Sequence, residues 1–360
     1  MTNHRVLITA IGGNIGQGIL KSLRVSKRNF YIVGIDMEFL SAGFSLTDSY
    51  YRTPRTTDPD FTNKLQRIVH KEKIEAIYVC SPSELEFFSI NKEKLEQKLG
   101  LVIFVNPINV VRIGSDKLKT VEFLRNAKFP YPETVLAVDK EGVDEIIRKY
   151  GFPLIMKPRL GFTSKNVFLV DSPEKIIALE TLFPDMIVQR YLPDPRSEFT
   201  ATTISGDDKK VRASIVLHRD LIQGTTYRTE LVQDDKITGQ VTDIVNALGA
   251  VGSCNLQFRL LNGDVLVFEI NPRFSGTCGI RYLYGFNDAE MVFELLRLGL
   301  EIQQPKLKPA VVLRYWNEIL IPDATFRALR EGSKFHCGEQ TILKKPMRNK
   351  SYQSMNHISQ

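Results

Sequence analysis

Cysteine, histidine and long apolar runs are scarce in this 360-residue sequence, and each shortage excludes something. The four cysteines, Cys80, Cys254, Cys278 and Cys337, lie too far apart for a CxxC pair, and none has a metal-ligand spacing with the five histidines. That argues against zinc ribbons and dithiol redox centres, and for reduced thiols in a cytoplasmic protein. No stretch approaches the roughly 18 apolar residues of a membrane span. The apolar run near the N-terminus is too short for the core of a secretory leader. No Ser-His-Asp or Cys-His grouping stands out as a nucleophile. What remains is ordinary globular usage, 43% hydrophobic and 25% charged, with enough apolar material for more than one core.

The 48 Lys and Arg against 41 Asp and Glu give a net charge of +7. Such an excess fits a nucleic-acid binder, a membrane-surface protein or an enzyme for anionic substrates. Its distribution narrows the choice. Residues 1–114 hold 15 basic and 11 acidic residues, residues 115–343 hold 29 and 30, and residues 344–360 hold four and none. The body is near neutral and a short polar tail, expected to fray, carries much of the excess. Neither a nucleic-acid partner nor a membrane is expected.

Residues 1–114 alternate strand and helix. The apolar run Val6-Leu7-Ile8 enters a glycine turn, Gly12-Gly13-Asn14-Ile15-Gly16-Gln17-Gly18, then a helix over about 17–27 and a strand over 31–35 that ends at Asp36. Further strands at 76–79 and 102–105 flank helices over 61–71 and 84–99. Strands that are apolar throughout are buried on both faces of a parallel, doubly wound sheet. A helix over 116–126, with Ser115 as its cap, opens the middle of the chain. Strands 153–157 and 167–170 flank the loop 158–166 and predict an antiparallel hairpin with a mobile tip. Strands then dominate: 187–190, 198–203, 211–216, 255–261 and 265–270, with helices over 237–248 and 289–298.

Chemistry concentrates in the second half. On the hairpin 255–271, Gln257 and Arg259 share one strand face, Glu269 and Asn271 share another, and a tight turn at 262–264 brings them side by side. One carboxylate and two amide oxygens suit a Mg²⁺ ion that carries substrate phosphates. Arg273 keeps that face and offsets charge built up in phosphoryl transfer. The competing reading is a solvated polar face of a hairpin. Lys157 ends an apolar strand, either as a snorkelling edge residue or as an inward charge that needs an anion. Lys117 stands in a first helical turn, where a cation opposes the helix dipole.

Ser115-Asp116-Lys117, Pro130-Tyr131-Pro132-Glu133-Thr134, Phe152-Pro153-Leu154-Ile155-Met156-Lys157-Pro158, Val188-Gln189-Arg190-Tyr191-Leu192 and Glu269-Ile270-Asn271-Pro272-Arg273 occur in an order that resembles ATP-grasp proteins. The nearest likeness is to the carbamoyl-phosphate-synthase-like carboxylate–amine ligases, over about residues 1–300. The resemblance implies a mixed α/β and α+β architecture: a Rossmann-like pre-ATP-grasp domain (1–114), a small ATP-grasp subdomain with a phosphate-covering loop (115–186), a large subdomain with the Mg²⁺ site (187–304) and a C-terminal extension (305–360). It implies an ADP-forming ligase using ATP and Mg²⁺, with Mn²⁺ as a substitute. Lys117 and Lys157 would contact phosphates under a loop containing Gly161, Thr163 and Ser164. Gln189, Arg190 and Leu192 would line the adenine, and Glu198 would take the ribose. Gln257, Glu269 and Asn271 would hold the metal, and Arg273 would act at the γ-phosphate, with Lys157 sharing the catalytic role. The substrates would be a small carboxylic acid and an amine; a homodimer is compatible with all of this.

Arg228 and Arg281 are candidates for a substrate carboxylate or for structure, and His218 for the acceptor site or the surface. Two other functions stay open. Gly13, Gly16 and Gly18 with Asp36 downstream resemble a dinucleotide fingerprint, although the spacing is not GxGxxG. That would make an NAD(H)-binding oxidoreductase or sensor. The third reading is a nucleotide-binding regulator without catalysis.

Overall fold

The computed structural model describes residues 3–161, 166–192, 198–315, 317–331 and 334–336. The chain runs β1 (His4–Ile8), α1 (Asn14–Arg24), β2 (Phe30–Asp36), β3 (Ser49–Arg52), α2 (Phe61–Glu72), β4 (Ala76–Tyr78), α3 (Leu85–Leu99) and β5 (Val102–Phe104). The order β3-β2-β1-β4-β5 is parallel throughout, as the continuous apolar strands predict. Leu7, Ile8, Ile32, Val33 and Ile77 are fully buried between helices on both faces.

Helices α4 (Ile108–Ser115) and α5 (Lys117–Asn126) follow. The cap of α5 is Asp116 and not Ser115: its carboxylate accepts from Leu118 N and Lys119 N, while Ser115 Oγ donates back to Val111 O. A carboxylate suits that end better because it also opposes the helix dipole. Val110 and Leu124 of these helices join the core of the large sheet described below.

Next come β6 (Thr134–Leu136), α6 (Lys140–Tyr150), β7 (Leu154–Pro158), β8 (Phe168–Val170), α7 (Pro173–Leu182) and β9 (Met186–Arg190). They form a four-stranded antiparallel sheet, β6-β9-β7-β8. β7 and β8 pair as expected, Leu154 with Val170. The tip of their loop, with Thr163 and Ser164, lies outside the described residues.

The rest is β10 (Glu198–Ser205), β11 (Val211–Ile222), β12 (Thr225–Val232), α8 (Asp235–Leu248), β13 (Gly252–Leu261), β14 (Asp264–Asn271), α9 (Cys278–Arg281), α10 (Asp288–Val292), β15 (Val311–Leu313), α11 (Asp323–Glu331) and β16 (Lys334–His336). A six-stranded antiparallel sheet has the order β14-β13-β10-β11-β12-β15. The helix expected over 289–298 is present as α10 continued by a wider π-helical turn over Phe293–Arg297, which sets Phe293 into the core against Phe30. β16 pairs with β3, and the basic tail beyond lies outside the described residues.

The parallel sheet packs directly on the large antiparallel unit. Tyr78 Oη donates to Ala289 O at 2.9 Å. Asn106 donates to Ser253 O and Pro272 O and accepts from Val251 N, all within 3.0 Å. Gly18 of α1 meets Gly279 of α9 so closely that a Cβ on Gly18 would stand 2.9 Å from Gly279 N. These contacts hold the glycine turn over the end of β13 and β14.

Candidate functional site

Two cavities meet on the large sheet. The first, of about 300 Å³, lies between the two antiparallel sheets, and the second, of about 430 Å³, lies between the large sheet and the glycine turn. Arg219, Gln257 and Glu269 line both.

The first cavity collects most of the residues singled out in the sequence. Lys117, Lys157, Gly161, Gln189, Arg190, Leu192, Glu198, Gln257 and Glu269 all line it. Ile155, Val167, Leu221 and Phe268 supply apolar walls. Lys157 is buried near the end of β7, with its ammonium over the Phe268 ring at 5.4 Å. Its Nζ donates to Gln189 Oε1 at 3.0 Å, and Gln189 Nε2 donates to Thr134 Oγ1 at 2.7 Å. Burial, and then the charge of Lys117, push the Lys157 ammonium down to about 8. A cation held so is short of an anion. Lys117 is likewise pushed down by burial, and Nζ donates to Gly161 O at 3.1 Å, tying α5 to the start of the covering loop. Gly161 has φ +106°, a backbone that a side chain rarely adopts. Arg190 stacks over Tyr150 at 4.3 Å and pairs with Glu133, so its position is fixed from outside the cavity.

Glu198 does not stand alone. Arg219 donates to it at 2.6 Å and Arg259 at 3.4 Å. The register explains this: Glu198 pairs with Arg259 across β10 and β13. Arg219 was not visible as a site residue in the sequence. Its only signal was its place next to His218 in β11, and the pairing of β11 with β10 was needed to use it.

The metal candidates come together as the hairpin register requires. Gln257 pairs with Glu269, and Asn255 with Asn271. Asn271 Nδ2 donates to Glu269 Oε1 at 2.9 Å, Arg273 donates to Asn271 Oδ1 at 2.7 Å, and Arg219 donates to Gln257 Oε1 at 2.8 Å. Each amide oxygen has a second lone pair, so one carboxylate and two amide oxygens remain usable by a hard divalent cation. Among the described residues no group of three His, Cys, Asp or Glu offers a metal cage. The donor set therefore fits an ion that takes the rest of its shell from phosphates and water. Asn271 and Arg273 line the second cavity, not the first. Burial lowers Arg273 to about 10, with Glu269 opposing the shift.

Three candidates fall outside both cavities. Arg281 is buried at 1% exposure and pairs with Asp288, donating also to Ser275 and Thr277. Arg228 pairs with Asp220 and Glu230 on the sheet surface. His218 stacks edge-on against Phe199. None of the three lines either cavity. The dinucleotide reading also loses its acid: Asp36 Oδ2 accepts from Gly12 N at 2.9 Å, turned back onto the glycine turn. Gly13 and Gly16 line the second cavity, opposite Glu269. Arg314 lines it too, from the segment after β15.

Two antiparallel sheets around a cation-lined cleft, with a parallel sheet packed beside them, define an ATP-grasp fold. Comparison with known proteins agrees. A RimK-like ATP-grasp domain matches residues 114–234, an ATP-grasp in the biosynthetic pathway with Ter operon matches 182–319, and a PylC-like N-terminal domain matches 6–103. Residues 114–319 are thus similar to ATP-grasp domains. It is 24% identical over 299 residues to the arginine-specific large chain of carbamoyl phosphate synthase from Halalkalibacterium halodurans, covering 77% of this chain and 28% of that one. It is 24% identical over 349 residues to the large chain from Archaeoglobus fulgidus, covering 89% and 31%. The chain thus spans less than a third of these relatives. In fold it is similar to N5-carboxyaminoimidazole synthetase from Staphylococcus aureus complexed with ADP (TM-score 0.68, 18% identity, 87% and 83% covered) and to L-amino acid ligase from Bacillus licheniformis (0.61, 17%, 82% and 74%). No helix among the described residues is long and apolar enough to cross a membrane.

Proposed function

We propose that this protein is an ADP-forming ligase that joins a small carboxylic acid to an amine. The observation that carries the reading is the position of Glu269, Gln257 and Arg219 on the wall shared by the two cavities. A phosphate bound in one can meet a carboxylate bound in the other only there.

ATP lies in the first cavity, with its adenine among Ile155, Val167 and Leu221 beside Gln189, Arg190 and Leu192. Glu198 faces the ribose, and Lys157 and Lys117 receive the phosphates, supplying the anion these buried cations lack. Mg²⁺ or Mn²⁺, held by Glu269, Asn271 and Gln257, would neutralise charge on the β- and γ-phosphates. A carboxylate oxygen of the acid attacks the γ-phosphorus and ADP leaves, giving an acyl phosphate. Arg273 stabilises the charge that develops on the transferring group. The amine nitrogen then attacks the acyl carbon, inorganic phosphate leaves, and the amine gives up one proton. The protein's part is to align two anions and offset their repulsion. A structure of similar fold is complexed with ADP, which supports nucleotide binding by this protein, and buried free thiols at Cys80, Cys254 and Cys278 suit a reducing, cytoplasmic setting.

The test is ADP release screened over amino acids and small carboxylic acids, with the mass of the product identifying the bond. Lys157→Ala and Glu269→Ala should each abolish the release; full activity in both would overturn the proposal.

A further inference from the structure

The second cavity has two chemically distinct ends. At one, Arg219, Gln257 and Glu269 face the nucleotide as well, so the reacting carboxylate belongs there. The other end is built from groups that line the second cavity alone: Arg314, Gly276 and the start of α1.

Arg314 is delivered by the C-terminal segment. β15 adds to the edge of the large sheet through β12, Leu313 opposite Arg228, and Arg314 N donates to Tyr227 O at 2.8 Å. Its Nη2 donates to Gly276 O at 2.5 Å. Its Nη1 is buried and has no partner among the described residues. Gly276 also abuts Asn14, since a Cβ there would lie 2.4 Å from Asn14 Nδ2. The guanidinium is therefore brought to the N-terminus of α1. That helix has 11 residues, no acidic residue in its first turn and no side-chain cap on Gly13. A spare donor also stands at the junction end. Arg219, 8% exposed, spends Nη2 on Glu198 and Gln257, while its buried Nε has no partner among the described residues.

Of the three lining arginines, Arg219 is paired with Glu198, which leaves Arg273 and Arg314 against one carboxylate, Glu269. A guanidinium nitrogen buried without a partner is costly, and a helix N-terminus adds to the positive potential. One carboxylate at the junction answers Arg273 but leaves the Arg314 end unfilled. We propose that the acid substrate carries a second anionic group, a carboxylate or a phosphate, seated between Arg314 and the N-terminus of α1. The identity of this substrate class rests on the ligase reading; the anion seat itself does not.

Calorimetric titration of the nucleotide-free protein tests the seat with matched pairs: succinate and succinamate, L-aspartate and L-asparagine, L-glutamate and L-glutamine, O-phospho-L-serine and L-serine. At least one doubly acidic member should bind about tenfold or more tightly than its neutralised partner, a gap expected of a charge-assisted contact. Which arm shows the gap distinguishes carboxylate from phosphate. Arg314→Gln, which keeps a donor for Gly276 O, should remove the gap, and Arg314→Lys should keep part of it. Asn14→Asp, benign at a helix start, should also remove it by placing a negative charge in the seat. This variant decides the matter if Arg314→Gln proves unstable. No gap in any pair, no binding by any acid, or a gap that survives both substitutions overturns the proposal. A parallel MgATP titration separates the two readings: failure there counts against the ligase and leaves the anion seat standing.

Discussion

Lys157 Nζ and Gln189 Oε1 are 3.0 Å apart inside the small sheet, and this hydrogen bond is the nearest compensation the buried ammonium has without nucleotide. The lysine is there at a cost, and that cost depends on pH. Its pKa falls from 10.5 unfolded to about 8 folded, so the fold disfavours the charged form. The penalty is present in full below about pH 8, shrinks as pH rises, and vanishes near 10.5, where the group is neutral in both states. By linkage it amounts to about 3 kcal/mol at most. Lys157→Met should therefore raise the melting temperature of the ligand-free protein at pH 7 and lose that advantage by pH 10. MgATP should bring phosphates to Lys157 and draw a proton onto it. Calorimetry near pH 8.5 in buffers of different ionisation enthalpy should read proton uptake in the wild type and less in Lys157→Met.

Glu269 is the single carboxylate in the cluster with Gln257 and Asn271. Glu269→Gln keeps the size and loses the charge. ADP release should fall by about 100-fold or more, the loss typical of removing one preorganised electrostatic group. Melting temperature should change little, because Asn271 can still find an amide oxygen there. A matching loss of Mn²⁺ affinity in the presence of a non-hydrolysable ATP analogue would tie the effect to the metal.

The arginine candidates separate by burial. Arg281 and Asp288 are 1% and 0% exposed, so Arg281→Ala leaves an uncompensated buried carboxylate and should destabilise by about 3–5 kcal/mol. Arg228 is 43% exposed, and Arg228→Ala should cost less than about 1 kcal/mol. Urea unfolding reads both. Neither should alter the selectivity among substrates in whatever protein remains folded.

Two glycines report on how the second cavity is held. A Cβ on Gly18 meets backbone, Gly279 N, and cannot be relieved by a rotamer change. Gly18→Ala should cost about 1–3 kcal/mol by overpacking. At Gly276 the obstacle is the flexible end of Asn14. Gly276→Ala should leave stability nearly intact and raise the KM for the acid substrate, with that for ATP unchanged.

Much of the site was legible in the sequence because strands impose a period of two. Once 255–261 and 265–270 are read as a hairpin, Gln257 comes close to Glu269, and a bulge between Gln257 and Phe258, which the sequence did not reveal, places the two directly opposite each other. The apolar strand ending in Lys157 required either an edge or an anion, and burial chose the second. β12, β15 and β16 were not legible: β15 and β16 are three-residue edge strands, and the eight-residue β12 alternates polar residues without an apolar run. Ser115 lost the cap to Asp116 by one residue, a choice decided by side-chain geometry.

The sequence by itself determined the parallel first sheet, the hairpin that carries the carboxylate and amides, and the order of the ATP-grasp motifs. These depend on local period and spacing. Only the tertiary structure decided that Arg219 and Arg314 line the cavities, that Arg228, Arg281 and His218 do not, and that the glycine turn and Glu269 share one cavity. Those facts depend on which distant strands pair and which surfaces pack, and a side chain's charge is silent about both.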